Sequence, residues 1–275
     1  MPRMLPALPR MMPRWIAFLM VLSPFVVAAS TPSAVPPSAQ EIMKRMKAVM
    51  EPSVASKRVI EVTVGAPGQA NVQWTARQAY DRSKGGLGRL LTVLVGPESV
   101  RSFAVLARED EAGPDEIWVY LPPVRRIRRI VAAGGEQFFL GTDFTLTDLG
   151  FVRIQGRTFS LIGTDEGDGH GAYIVRETLA SGAPYAKLEL RIDHSNYRLL
   201  ERRYYDPAGD LWRTEHFEDY RVVNGVPVAF RIRMENHQEG GTSELRVVDA
   251  DEKARVPAEW FEPTGLAKIA TSTHW

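Results

Sequence analysis

The chain has no cysteine among its 275 residues. That excludes disulfides, thiolate metal sites, a Cys nucleophile and a lipid anchor attached to a cysteine thiol. An excess of charge of one sign is also missing, with 34 Lys+Arg against 33 Asp+Glu. This argues against a nucleic-acid binder working through bulk positive charge. Catalytic signatures are lacking too. There is no Gly-x-Ser-x-Gly elbow, no Ser-x-x-Lys, no phosphate-cradling glycine loop and no His-Glu-x-x-His. The histidines, at 170, 194, 216, 237 and 274, have no metal-ligand spacing. Asp165-Glu166-Gly167-Asp168-Gly169-His170 lacks the order and closing glutamate of a calcium loop, and reads as a hairpin turn. No catalytic residue, metal or cofactor is assigned, and the chain is read as not an enzyme.

Long apolar runs are scarce, and the one present comes first. Trp15 to Ala28 is apolar apart from Ser23 and Pro24, behind Arg3, Arg10 and Arg14, and runs into the small residues Val27-Ala28-Ala29. A positive start, an apolar middle and small residues at the end predict a cleaved signal peptide over residues 1–29, with an uncleaved anchor as the alternative. The run is shorter than the roughly 20 residues of a spanning helix. The remainder is expected to be exported to the periplasm, unanchored. With 44% apolar residues it is long enough to build a core without disulfides.

Residues 30–37 (STPSAVPP) read as a linker and 38–275 as a single domain. Ser38 with Glu41 three positions on forms a capping box, and Pro52 ends the helix it starts. Ile42, Met43, Met46, Val49 and Met50 fall on one stripe of that helix, while Lys44, Arg45 and Lys47 point away. The stripe is either ordinary core or, because methionine adapts to varied apolar partners, a lid. From Arg58 onward period-two alternation dominates: Ile60, Val62 and Val64 share a face, as do Leu188, Leu190 and Ile192. Gly, Pro and Asn-Gly turns recur at hairpin intervals, and no strand–helix rhythm supports a parallel sheet. Residues 87–95 and 99–107 are apolar on both faces, which predicts strands covered on both sides.

Residues 118–149 depart from a generic β pattern. Trp118-Val119-Tyr120-Leu121-Pro122 leads into Arg125, Arg126, Arg128 and Arg129, followed by Phe138-Phe139-Leu140-Gly141-Thr142-Asp143-Phe144 and Asp148-Leu149. Thr142 or Asp143 is expected to cap a short turn, and Asp143 and Asp148 to cap or to pair with arginines rather than to do acid–base work. This set resembles the outer-membrane lipoprotein-sorting family, relatives of the periplasmic lipoprotein carrier. Tyr185-Ala186-Lys187, Tyr205 to Gly209 and Met234-Glu235-Asn236 extend the likeness.

The resemblance implies a mainly β (α+β) fold: an incomplete antiparallel barrel of about eleven strands with a helical lid in its concave face. It also implies an apolar cavity for the acyl chains of lipoproteins or lipids on their way to the outer membrane. The expected lid residues are Met43, Met46 and Met50. The expected wall residues are Trp74, Leu91, Val93, Phe103, Trp118 and Tyr120, large apolar side chains mostly on strands covered on both faces. Arg125, Arg126, Arg128 and Arg129 are expected to touch acidic headgroups or a partner such as an inner-membrane transporter, with a charge-protected edge strand as the alternative. The rival function is a non-catalytic envelope module that docks a membrane transporter or partner and has no cavity.

Overall fold

A computed structural model describes residues 36–275, apart from 70, 83–85, 111–112, 131–137, 147, 168–170, 180–183 and 274. The expected leader (1–29) and all but the last residues of the linker lie outside the described residues. Pro37–Trp275 form one compact unit.

Helix α1 spans Ala39–Met50. The Ser38 hydroxyl accepts from the Glu41 N–H at 3.2 Å, which satisfies one of the orphan donors of the first turn. The Glu41 carboxylate does not close the box; it takes Arg45 at 2.6 Å. Ile42, Met43 and Met46 are buried and Met50 is half-buried. Lys47 departs from the expected solvent orientation. It is largely enclosed and holds Glu51 and Glu109, each at 2.7 Å.

Thirteen strands follow among the described residues. They are β1 Ala55–Gly65, β2 Val72–Asp81, β3 Arg89–Gly96, β4 Ala104–Arg108, β5 Glu116–Leu121, β6 Arg126–Ile130 and β7 Thr158–Asp165, then β8 Ala172–Thr178, β9 Lys187–Asp193, β10 Leu199–Tyr205, β11 Leu211–Val223, β12 Val226–Asn236 and β13 Thr242–Asp251. All lie in one sheet, ordered β6-β5-β4-β3-β2-β1-β13-β12-β11-β10-β9-β8-β7. Two meanders, β1–β6 and β7–β13, are joined side by side where β1 pairs antiparallel with β13. The sheet does not close, because β6 and β7 end it on opposite sides. The connection from β6 to β7 must therefore travel from one edge to the other.

The architecture is the open antiparallel one expected, with thirteen strands in place of about eleven. The edge strands explain much of the difference. β6 sets two isoleucines among three arginines, and β7 is mostly exposed, so neither carries a strong apolar alternation. The strand expected over 99–107 is also shorter. Glu98–Val100 form a 3-10 turn, and β4 begins only at Ala104.

Side-chain parity divides the sheet into an inner face and an outer face that is covered over β2–β5. On the inner face, α1 packs against Val175, Leu190, Ile192, Leu199 and Phe217 of β8–β11. Phe139 packs on the same face against Ile60, Val62, Trp74, Ala76 and Leu94 of β1–β3. On the outer face the C-terminal segment covers Ala79, Leu91, Val93, Ala104, Leu106 and Tyr120. It consists of a 3-10 turn at Ala258–Phe261 and a short helix α2, Leu266–Ala270, which place Phe261, Leu266 and Ala270 on these strands. β3 and β4 are therefore apolar on both sides because a chain excursion lies on one and the C-terminal segment on the other.

Candidate ligand-binding site

The inner faces of β1–β5 and β13 meet the segment 139–149 around an apolar slot. It encloses about 580 Å3 free of protein atoms, its open mouth included, of which about 40 Å3 admits the centre of a water-sized sphere. A single water needs roughly 10–15 Å3 by that measure, so the slot is narrow but not filled. Its walls are Ile60, Val62, Trp74, Val105, Ile117 and Leu245, and its roof is Phe139, Phe144, Leu146 and Leu149. The Phe139 ring stands edge-on to Trp74 with centroids 5.5 Å apart, a preferred aromatic geometry.

Polar pins hold the roof at one side. The Asp143 carboxylate accepts from Ser243 Oγ at 2.8 Å and Asn236 Nδ2 at 3.1 Å, and its N–H donates to Ser243 Oγ at 2.8 Å. Gly241 permits that approach, since a Cβ there would sit 3.0 Å from the carboxylate. Asp148 and Thr145 cap one another's N–H at 2.8 and 3.0 Å. Two threonines therefore cap this segment, Thr142 accepting the Phe144 N–H at 3.3 Å as expected and Thr145 that of Asp148, while Asp143 caps neither.

The fully buried Arg213 of β11 holds Asp148 at 3.1 Å and donates to the Asp143 carbonyl and the Tyr185 hydroxyl. Around its guanidinium stand Trp212 at 4.5 Å and Tyr204 at 5.0 Å, a cation–π enclosure. Asp148 does both pair and cap, and the arginine it uses lies far along the chain from the 125–129 cluster; the Asp143 carboxylate instead accepts from Ser243 and Asn236.

The structure divides the expected site residues among three places. Trp74 lines the slot. Phe103 lies on the same face against Phe139, at 6.1 Å between centroids. Leu91, Val93, Trp118 and Tyr120 are on the outer face, packed with the C-terminal segment, and do not border the slot. Met43 and Met46 are core of the β8–β12 half, and only half-buried Met50 reaches a second chamber described below. The cover of the slot is the 139–149 segment, not α1. The physical reason is parity: in β3 the inner positions are Leu90, Thr92 and Leu94 and the outer ones Leu91 and Val93. With both sets apolar, composition does not tell them apart. Phe139, Phe144, Leu146 and Leu149 belong to the 138–149 motif noted in the sequence, but nothing there marks them as a roof.

Arg126, Arg128 and Arg129 are exposed on the edge strand β6, and Arg125 precedes it in a left-handed conformation at φ 48°. Arg129 pairs with Glu116 at 2.6 Å, and Arg108 and Arg129 each stand 5.7 Å from the Trp118 ring.

A second, more polar chamber adjoins the slot at the C-terminal end of α1. Gln78 and Leu90 border both spaces, and Met50, Glu51, Ser56, Arg58, Tyr80 and Phe151 complete the chamber. About 150 Å3 of it admits the centre of a water-sized sphere. Its rim carries a charge cluster in which Lys47 and Arg82 each bond both Glu51 and Glu109. Burial pushes the Glu51 carboxyl up. Burial acts the same way on Glu109, but the Gly88 N–H and the two cations outweigh it and leave that carboxyl below its usual range. Burial also pushes the Tyr80 phenol up to about 12.

Among the described residues no group of three or more His, Asp or Glu is placed to share a metal ion. No helix among them is long and apolar enough to cross a membrane.

A family model described as an uncharacterized protein matches residues 86–268. No curated protein matches the chain. Among solved structures, the fold is similar to an outer membrane lipoprotein-sorting protein domain from Vibrio parahaemolyticus, at 25% identity and a TM-score of 0.78, covering 83% of this chain and 98% of that one. It is similar to a DUF1329 family protein from Desulfovibrio piger, at 20% identity and a TM-score of 0.77, covering 83% and 97%. A LolA superfamily protein from Nitrosomonas europaea follows at 20% identity and a TM-score of 0.67, covering 82% and 98%.

Proposed function

We propose, from the premise that the chain belongs to the family whose model matches residues 86–268 and has a fold similar to that of an outer membrane lipoprotein-sorting protein domain, a periplasmic, non-catalytic carrier that binds an acyl chain of a lipid or lipoprotein in the roofed slot. The observation that carries this reading is the slot itself, an unfilled apolar space between a sheet face and a separate chain segment. Residues 1–29 act as the cleaved export signal, 30–37 as a linker and 38–275 as the carrier domain, which delivers its cargo towards the outer membrane.

Reversibility sets the physical demand. Burying a chain contributes about 0.8 kcal/mol per methylene, so a preformed open cavity would hold its ligand too long. Here Phe139, Phe144, Leu146 and Leu149 occupy the ligand's side of the slot when it is empty. Entry must displace these contacts, and their recovery drives release. The Asp143 and Asp148 pins keep the segment attached while its apolar side chains move. The exposed arginines of β6 are the surface offered to acidic headgroups or a partner at the donor membrane.

Narrowing the slot without disturbing its pins tests this. Ala107 borders the slot and is nearly buried. The Ala107→Leu protein should melt no lower than the wild type and lose most binding of a fluorescent long-chain fatty acid probe. Undiminished binding by a folded Ala107→Leu protein would overturn the reading.

A further inference from the structure

We infer that the chamber beside the slot holds the head end of the cargo, and that this end is an uncharged acyl ester or hydroxyl rather than a carboxylate or phosphate. The inference rests on the carrier reading and adds to it the polarity and direction of the ligand. The evidence is a gradient along three neighbouring strands. Ser56 pairs with Tyr80, and Tyr80 with Leu90; Arg58 pairs with Gln78, and Gln78 with Thr92; Ile60 pairs with Ala76, and Ala76 with Leu94. Side chains two apart on a strand share a face, so the inner surface carries two rows that are polar except for Leu90 and then changes to the wholly apolar row of Ile60, Ala76 and Leu94. Ser56 to Ile60 spans about 13 Å at the usual strand rise, and Gln78 and Leu90 bridge the two spaces. A molecule with a hydrogen-bonding end and a hydrocarbon tail matches this surface in one direction only.

The anchor at the polar end is Ser56. The residue is 1% exposed, it borders the chamber, and its Oγ has no hydrogen-bond partner among the described residues. Buried hydroxyls are nearly always partnered, so a ligand carbonyl or hydroxyl is the natural complement. The charges around the chamber select against an anion. Arg58 already holds Glu252 at 2.6 Å. Lys47 and Arg82 are shared between Glu51 and Glu109, and Glu51 itself forms part of the wall. An entering carboxylate or phosphate finds every neighbouring cation engaged and a carboxylate facing it, an arrangement that costs free energy in a partly dry site.

The test compares three probes with the same tail: monopalmitoylglycerol, palmitic acid and palmitoyl lysophosphatidic acid, each titrated at neutral pH. Monopalmitoylglycerol is expected to bind at least about tenfold tighter than either anion. Ser56→Ala should weaken monopalmitoylglycerol by about three- to tenfold, the loss of one hydrogen bond, and leave palmitic acid unchanged. The variant removes an unpartnered hydroxyl and should melt no lower than the wild type, which separates a binding effect from misfolding. A palmitoylated lipopeptide used as competitor identifies the source of the ester: displacement points to a lipoprotein, and its failure to a free acylglycerol, with the ester chemistry upheld in both cases. Equal binding of all three probes, or indifference to Ser56→Ala, overturns the head-group assignment while the carrier reading stands. Binding of none of them overturns the carrier reading itself.

Discussion

At the scale of single residues, Arg213 shows how much of the site depends on one buried charge. It is fully enclosed, paired with a nearly enclosed Asp148, and surrounded by aromatic rings. Replacing it with methionine keeps most of the volume but leaves the Asp148 carboxylate buried without its cation. That is expected to cost about 3–5 kcal/mol, read as a lower urea midpoint at unchanged slope. Arg213→Lys should recover little, because a point ammonium cannot reach the Asp143 carbonyl, Asp148 and Tyr185 together as the planar fork does. Replacing Asp148 with leucine in the Arg213→Met background should restore part of the loss, since no unpaired charge then remains. His216 gives a pH signature. Burial and Arg233 lower its pKa against the opposing pull of Glu201 and Glu218. A histidine with a lowered folded pKa supplies stability above its ordinary value near 6.5, and that stability is lost as pH falls through the folded value. The wild type should therefore lose more stability than His216→Gln between pH 7 and pH 5; melting curves at the two pH values give the comparison, and parallel losses would refute it.

At the scale of elements, helix α1 was legible in the sequence because three independent signals coincide: a Ser38 cap, a 3.6-residue apolar stripe and a stopping proline. Its partner was not, since a stripe records that a helix packs and not against what. Met46 is fully buried against β8–β12. Met46→Ala should cost about 2–5 kcal/mol, whereas Met46→Leu should be close to neutral. Acyl-probe binding by the Met46→Leu protein should match the wild type, because the residue does not border the slot; a marked loss would restore the helix as the lid. The central strands were legible from alternation, as in Ile60, Val62 and Trp74. The inner and outer sides of β3 were not, because Leu90 and Leu94 face one way and Leu91 and Val93 the other. The outer cover was hidden for a different reason. Phe261, Leu266 and Ala270 sit on a 3-10 turn and a five-residue helix, too short for a periodic signal to emerge. The roof segment has no period at all, and its pins to Ser243, Asn236 and Arg213 join residues 65 to 100 positions apart.

At the scale of the molecule, a sheet of thirteen strands that does not close leaves two free edges, and an exposed edge is a template for pairing with another chain. The two edges are protected differently. β7 is mostly exposed and carries Gly163 beside a break in register, a local irregularity that interrupts a regular ladder. β6 is five residues long and presents Arg126, Arg128 and Arg129, so a second copy approaching edge to edge would set arginines against arginines. Short length and like charge together oppose self-pairing, and the same charges remain available to an acidic surface. The two roles separate by substitution. Replacing Arg126 and Arg128 with threonine keeps strand propensity and removes the repulsion, so light scattering after size exclusion should show a larger mean mass than that of the wild type. Lysine at the same positions should keep the wild-type mass and retain binding to vesicles containing anionic phospholipid. A threonine variant that keeps the wild-type mass but no longer binds such vesicles would assign these arginines to membrane contact alone, and the short length of β6 would then account for the quiet edge.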